Sequence, residues 1–448
     1  MDFKKIIESY TTSTDAIIEF IDLTNVFDKT TKKIIEKDPI ALIPLVIKSI
    51  EEELYKCNYG DKNYNKLIKD KKKMLTLCKK SFDYKCDKDG KIGKLSAKNY
   101  TILKNTTETL KKLAIKFRSK EFIFYSTLMN LVSIFHKLLS DIIHIISELH
   151  PERLKLDDDL ISFNDLKNVK KIDEAKDIIL SRKIDSLLYE GIEDHFKFIE
   201  DSTGLKFDFL EEHMEGLKEI IQRRNIFVHN DGIVNNQYLE KVDKKLIKKF
   251  SAKKNEKLKT NKDYLRDSIN LFEAVGVYMT ATIWKNFEPK KKERSAFLND
   301  HIVYPRLLEK RNFVAEHIAE FIINDKNAKA TIKDCATLNR WLAIKQDGRF
   351  KKIEKEVEEI DFSSREKTLQ LGLLALLDNK KQFFILLPKC IKSKELAIEE
   401  YKEFPIFEKM RKTKESKDFL EKHNKPKKVV KVVKKAKLVK KTTTQKKK

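Results

Sequence analysis

Within residues 222–229, QRRNIFVH, an arginine is followed by an asparagine and, four residues further on, a histidine. The three side chains, Arg224, Asn225 and His229, suit phosphate chemistry that calls for no metal and no organic cofactor. A guanidinium holds a non-bridging phosphate oxygen and stabilises its developing charge, while an imidazole exchanges protons near neutral pH. On RNA the expected reaction is attack of a 2′-hydroxyl on its own phosphodiester, with His229 as general acid or base. The products would be a 2′,3′-cyclic phosphate and a 5′-hydroxyl. A purely structural role is open to the same residues: an arginine in a last helical turn favours the helix dipole, and a histidine there caps carbonyls.

To act together the three must sit on one helix, which the spacing over 208–228 predicts. With Leu210 as origin and about 100° per residue, Met214, Leu217, Ile221 and Val228 all fall within about 40° of it, and so does Arg224. An arginine where the pattern asks for an apolar residue is a broken local rule of the kind that concentrates at functional sites. Arg223 is expected to point outward. Asn225 and His229, four apart, share a face bordering the stripe. Asp208 is a candidate N-cap, and Asn230-Asp231-Gly232 supplies a left-handed stop. Upstream, apolar residues at 128, 131, 132, 135, 138, 139, 142, 145, 146 and 149 make a wide stripe on a helix over 122–149 that must be buried, and Pro151 ends it. His136 and His144 lie beside or off that stripe and read as packed or solvated. Helices over 171–199 and 263–286 complete a set of four antiparallel helices.

The segment QRRNIFVHNDGIVNNQYL, residues 222–239, resembles the motif region of the HEPN superfamily: an arginine, a polar residue that is often asparagine, a short spacer and a histidine. Arg224, Asn225 and His229 match that pattern position by position. NDGIVNNQYL is similar to the VHN-x-G-x-V-x-x-x-Y-L continuation of bacterial HEPN proteins. The resemblance covers roughly residues 116–288. It implies a four-helix bundle, metal-independent RNA cleavage in bacterial defence, toxin or stress systems, and two motifs facing each other across a homodimer. It also takes in members that only bind nucleic acid or nucleotides, so fold alone does not settle activity. A second match, Arg311-Asn312 to His317 in RNFVAEH, has a longer spacer and no continuation, and reads as coincidence.

The rest of the chain sets the context. In 448 residues there are only 10 Gly and 8 Pro, too few turn formers for a β-rich fold of this size, so an all-α protein is expected. Residues 1–115 read as a helical N-terminal region, including 39–54. CDKDGKIG, 86–93, superficially matches the start of a calcium loop but lacks its later ligands and reads as a turn. Residues 291–411 read as helical hairpins, weakly similar to tetratricopeptide-like repeats, that would recruit a protein partner. The formal charge is +25, and after Asn424 the chain carries twelve lysines and no acid, so residues 424–448 are expected to be a disordered tail that favours RNA. Cys57, Cys78, Cys86, Cys335 and Cys390 are scattered without metal-ligand spacing and suggest reduced thiols. With no apolar leader and no uninterrupted apolar run of membrane length, a cytoplasmic protein without a membrane partner is expected. No phosphate-cradling Gly-rich loop, HExxH or GxSxG is present. The competing reading is a non-catalytic HEPN scaffold or nucleic-acid-binding protein; transfer of a nucleotide by the same arginine is a further alternative.

Overall fold

A computed structural model describes residues 2–37, 80–86, 92–154 and 169–424, with Ser162, Asp165 and Lys167 between them. The helix expected at 39–54, the turn at 87–91 and the lysine tail from 425 lie outside the described residues. The fold is all-α, with one small β-hairpin.

Two N-terminal helices, α1 (Phe3–Asp22) and α2 (Thr24–Lys37), precede the hairpin, whose strands β1 (Phe82–Cys86) and β2 (Ile92–Ala97) pair antiparallel. That hairpin departs from the helical expectation for 1–115. Its strands are short, and the Asp-Lys-Asp-Gly between them is a turn signal that outweighs any helical tendency of the flanks. Next comes the 50-residue α3 (Tyr100–Leu149), nearly twice the length predicted, capped at its start by the Asn99 side chain. Every position of the predicted stripe is buried except Leu149. By length and composition α3 alone among the described helices could cross a membrane, and half of its most apolar stretch is buried inside the fold.

The helix expected over 171–199 is two helices, α4 (Ile172–Tyr189) and α5 (Ile192–Thr203). They part at Gly191, whose N–H donates to the Asp194 carboxylate, 3.2 Å away, as a cap. Then follow α6 (Asp208–Asn230), the short α7 (Asn236–Lys241) and α8 (Lys244–Lys249), and the long α9 (Lys262–Phe287). At the centre of the fold α1 packs on both α3 and α9, and α9 packs on α6. The Tyr10 hydroxyl donates to the Phe272 carbonyl at 2.7 Å. Gly276 lets these helices approach closely, since a Cβ there would stand 2.4 Å from the Tyr10 ring and 2.6 Å from Leu138.

Beyond Pro289 a helix with a central π turn, α10 (Arg294–Leu298) continuing through residues 299–303 into α11 (Tyr304–Leu308), leads to the antiparallel pair α12 (Asn312–Ile323) and α13 (Ala330–Gln346). The short α14 (Glu354–Glu359) joins these to a second pair, α15 (Lys367–Leu376) and α16 (Lys380–Ser393). The segments α17 (Ile398–Glu403), α18 (Glu408–Arg411) and α19 (Lys414–Asn424) close the described chain. One apolar core runs from Phe3 to Leu376, and a smaller one gathers Phe383, Leu387, Tyr401 and Phe407. Glu273 of α9, fully buried, ties the two ends of the first core together. It accepts from Arg306 at 2.6 Å, from Thr14 at 2.5 Å and from Arg311.

Candidate functional site

Helix α6 begins at Asp208 with no side-chain cap; Phe207 holds the N-cap position, and Asp208 in the first turn interacts with the dipole instead. At its other end Asp231 (φ 47°) and Gly232 (φ 79°) both turn left-handed, and the Gly232 N–H donates to the Ile226 carbonyl at 3.0 Å. The chain then folds back: the Val234 N–H donates to the Glu256 carbonyl at 3.0 Å, and the Leu258 N–H donates to the Gly232 carbonyl at 2.8 Å. Ile226, Val234, Tyr238, Val242, Ala252 and Leu258 bury one another beneath this lobe.

The lobe corrects the expected orientation of the two arginines. Arg223 does not point outward; it is wholly buried. Its Nε donates to Glu219 at 2.8 Å and one Nη to the Lys259 carbonyl at 2.8 Å, and the guanidinium lies between the rings of Phe250 and Tyr264, 4.4 and 3.8 Å from their centroids. Tyr238 and Tyr264 donate their hydroxyls to the same Glu219, at 2.6 and 2.7 Å. Burial and the Glu219 charge hold both phenols well above their ordinary pKa. The buried face of α6 is therefore wider than the stripe drawn through Leu210: Leu210 and Leu217 are buried on the stripe, and burial extends about a quarter turn round to Phe209, Ile220, Arg223 and Phe227. Val228, on that stripe, is 44% exposed. Sequence periodicity could not foresee the extension, because the surface that covers the Arg223 side comes from residues 232–260, which carry little periodicity of their own.

Arg224 is thereby placed on the border of the core, half-buried, at an open cleft of about 1070 Å³. The cleft is walled by α6 on one side (Lys218, Ile221, Gln222, Arg224, Asn225) and by α3, α4 and α5 on the other (Val132, His136, Asp185, Tyr189, His195). Lys218 is engaged, 2.6 Å from Glu193 and 3.0 Å from Glu215. Among the described residues Arg224 has no ion-pair or hydrogen-bond partner, and burial alone holds its pKa below the ordinary arginine value. Asn225 is half-buried beside it. His229 lies one turn beyond Asn225 on the same sector of the helix, exposed, and is not part of the cleft wall.

Two histidines that the sequence left unweighted stand in the cleft instead. The rings of His136 (α3) and His195 (α5) meet edge to face, centroids 5.3 Å apart. Nε2 of His195 is 2.9 Å from the Leu187 carbonyl, so in the neutral ring Nε2–H donates and Nδ1 is the free acceptor. That Nδ1 is buried without a partner. Burial, His195 and the Arg224 charge push His136 down to about 4, and burial lowers His195. The available signal was weak: His136 flanks the core stripe of α3, but nothing in the sequence joins it to a helix nearly ninety positions later.

The second motif-like match comes apart. Arg311 joins Asp15, Asn270 and Glu273; Asn312 donates to Asp347 at 2.7 Å; and His317 packs among Phe209, His213 and Phe313. The three residues serve three different contacts and share no cleft.

No protein-family model matches the chain, and neither the curated proteins nor the solved structures include a significant match.

Proposed function

We propose that this chain is a metal-independent RNA endonuclease of HEPN type, acting in bacterial defence or stress response. Arg224 binds and stabilises the phosphate, Asn225 orients it, and His229 exchanges the proton as the 2′-hydroxyl displaces the 5′-oxygen. The observation that carries this reading is the contrast between neighbours: Arg223 is ion-paired with Glu219 and packed between two rings, whereas half-buried Arg224 faces an open cleft and forms no ion pair among the described residues. A desolvated cation without a counter-charge is costly, and a phosphate removes that cost. The residues that resemble the HEPN continuation have a physical task here: Gly232 makes the turn, while Val234 and Tyr238 pack beneath the lobe that orients both arginines.

A homodimer belongs to the same proposal. Ile115 and Phe122, 56% and 66% exposed, lie on the turns flanking Arg118, which reaches Asp231 at the end of α6, close to exposed Val228 and His229. Pairing across these residues would bring two copies of His229 together, and light scattering would detect the dimer. The lysine tail beyond Asn424 would raise RNA encounter in a salt-dependent way. One observation favours the non-catalytic reading, in which the bundle binds nucleic acid and the hairpins recruit a protein: His229 lies outside the cleft wall. Incubation of the full chain with total RNA in EDTA, followed by end-group mapping, decides between them. Fragments ending in cyclic phosphate, lost in Arg224→Ala and His229→Ala, are expected; RNA binding without cleavage by any of the three proteins would favour the non-catalytic reading.

A further inference from the structure

Metal-independent cleavage of a phosphodiester by its own 2′-hydroxyl moves two protons: one leaves the attacking oxygen and one joins the departing oxygen. A single exposed histidine serves one of these transfers well and leaves the other to water. The cleft beside Arg224 contains a further imidazole, and its surroundings suit it to the first transfer.

We infer that His136 is the proton acceptor of the Arg224 cleft, so that one protomer holds a base, His136, and an acid, His229, on either side of a phosphate bound by Arg224 and Asn225. This rests on the endonuclease reading above. In the step, the 2′-oxygen gives its proton to a ring nitrogen of His136 as it bonds to phosphorus, the bond from phosphorus to the 5′-oxygen breaks, and that oxygen takes a proton from the His229 imidazolium. The cyclic phosphate and the 5′-hydroxyl leave, and exchange with water restores both rings. The substrate class is single-stranded RNA, because a paired strand keeps its backbone in helical stacking and cannot bring the 2′-oxygen into line with the leaving oxygen.

Three features of the site carry the assignment. His136 and Arg224 come from different helices yet line one cleft, near enough for the arginine's charge to act on the ring. The ring packs edge to face on His195, itself 2% exposed and tied to the Leu187 carbonyl, so a buried and anchored neighbour supports it at the cleft. Burial, His195 and Arg224 all oppose its protonation, which keeps it available as a base across the neutral range. Asp185, Glu190, Glu193 and Asp194 are the acidic groups of the opposite wall, Glu193 paired with Lys218, and none of the four is among the groups that perturb the ring. A phosphate held on Arg224 would neutralise the guanidinium that opposes protonation, so the basicity of His136 rises just when a substrate is in place.

The test uses the full chain and two substrates: a short single-stranded RNA, and uridine 3′-(p-nitrophenyl phosphate), whose leaving group needs no acid. His136→Gln is expected to lower kcat/KM at least 100-fold on both and to abolish the acidic limb of the pH profile, whereas His229→Ala is expected to fail on RNA and recover on the activated ester. If wild type cleaves and His136→Gln stays within threefold of it, the assignment of His136 is wrong while the endonuclease reading stands. If wild type cleaves neither substrate, both fall. Should His136→Gln not fold, carbon-13 histidine labelling of wild type titrated with uridine 3′-monophosphate provides a second reading. An upward shift of the His136 titration on binding supports the role, and binding that leaves that titration unmoved overturns it.

Discussion

Two adjacent arginines of α6 should respond oppositely to the same substitution. In Arg223→Ala, Glu219 remains 2% exposed and loses its cation, keeping only the hydroxyls of Tyr238 and Tyr264. Breaking a buried pair by removing one partner costs about 3–5 kcal/mol, and the two ring contacts of the guanidinium vanish with it. Unfolding entropy near 60 °C is about 2.1 cal/mol/K per residue, so a chain of 448 residues gains roughly 0.9 kcal/mol/K on unfolding and the expected drop in Tm is roughly 3–6 °C. Arg224→Ala removes a half-buried cation that no carboxylate balances. Its lost packing is offset by relief of desolvation, so Tm should move by no more than about 1 °C in either direction.

Scanning calorimetry of the two variants at pH 7.5 reads the contrast directly, and RNA binding reads its mirror image, with Arg224→Ala impaired. Arg223→Lys should fall near Arg223→Ala, because an ammonium cannot lie flat between Phe250 and Tyr264 while reaching both Glu219 and the Lys259 carbonyl. Equal losses of Tm in both alanine variants would refute the reasoning, since Arg224 would then be a structural cation like its neighbour. A loss below about 1 °C in Arg223→Ala would refute it from the other side, by showing that Glu219 tolerates burial without its partner.

Glu273→Ala leaves Arg306 and Arg311 without their shared carboxylate in the core between α1, α9 and α11, and should cost about 3–5 kcal/mol in urea denaturation; a loss under about 1 kcal/mol would mean that Asp15 and Glu309 compensate both arginines. His136 and His317 are each lowered by burial from 6.5 to about 4, and His195 and His213 are lowered too. The unfolded chain therefore binds more protons between those values: stability is fully present above about pH 6.5 and falls as pH drops towards about 4, by about 1–2 kcal/mol for each of the two more strongly shifted rings. Thermal midpoints across that window should flatten in His136→Gln/His317→Gln, and an unchanged slope would rule out these rings as its source. Gly232→Ala places a methyl 2.3 Å from the Phe227 ring at φ 79°, so amide exchange should accelerate selectively across 232–258; protection equal to wild type would show that the turn relaxes freely.

What could be read from the chain alone was whatever is local and periodic. The α3 stripe and the left-handed exit of α6 are written in contiguous stretches of sequence, the all-α character in the scarcity of Gly and Pro over the whole chain, and the fold shows all three. The facing of Arg223 and Arg224 was not, because a helix with apolar residues on more than one side does not declare which side will be covered. Here an aperiodic lobe, residues 232–260, covers the Arg223 side, and α1 rather than α4 packs most closely against α3 and α9. The cleft has the same origin. His136 and Arg224 belong to helices far apart in the chain that pack directly on each other, so their proximity is a tertiary fact with no local signature. A short motif can thus single out a helix while leaving open which of its residues the fold covers, and what separates Arg223 from Arg224 is that the fold pairs one cation and leaves the other without a partner among the described residues.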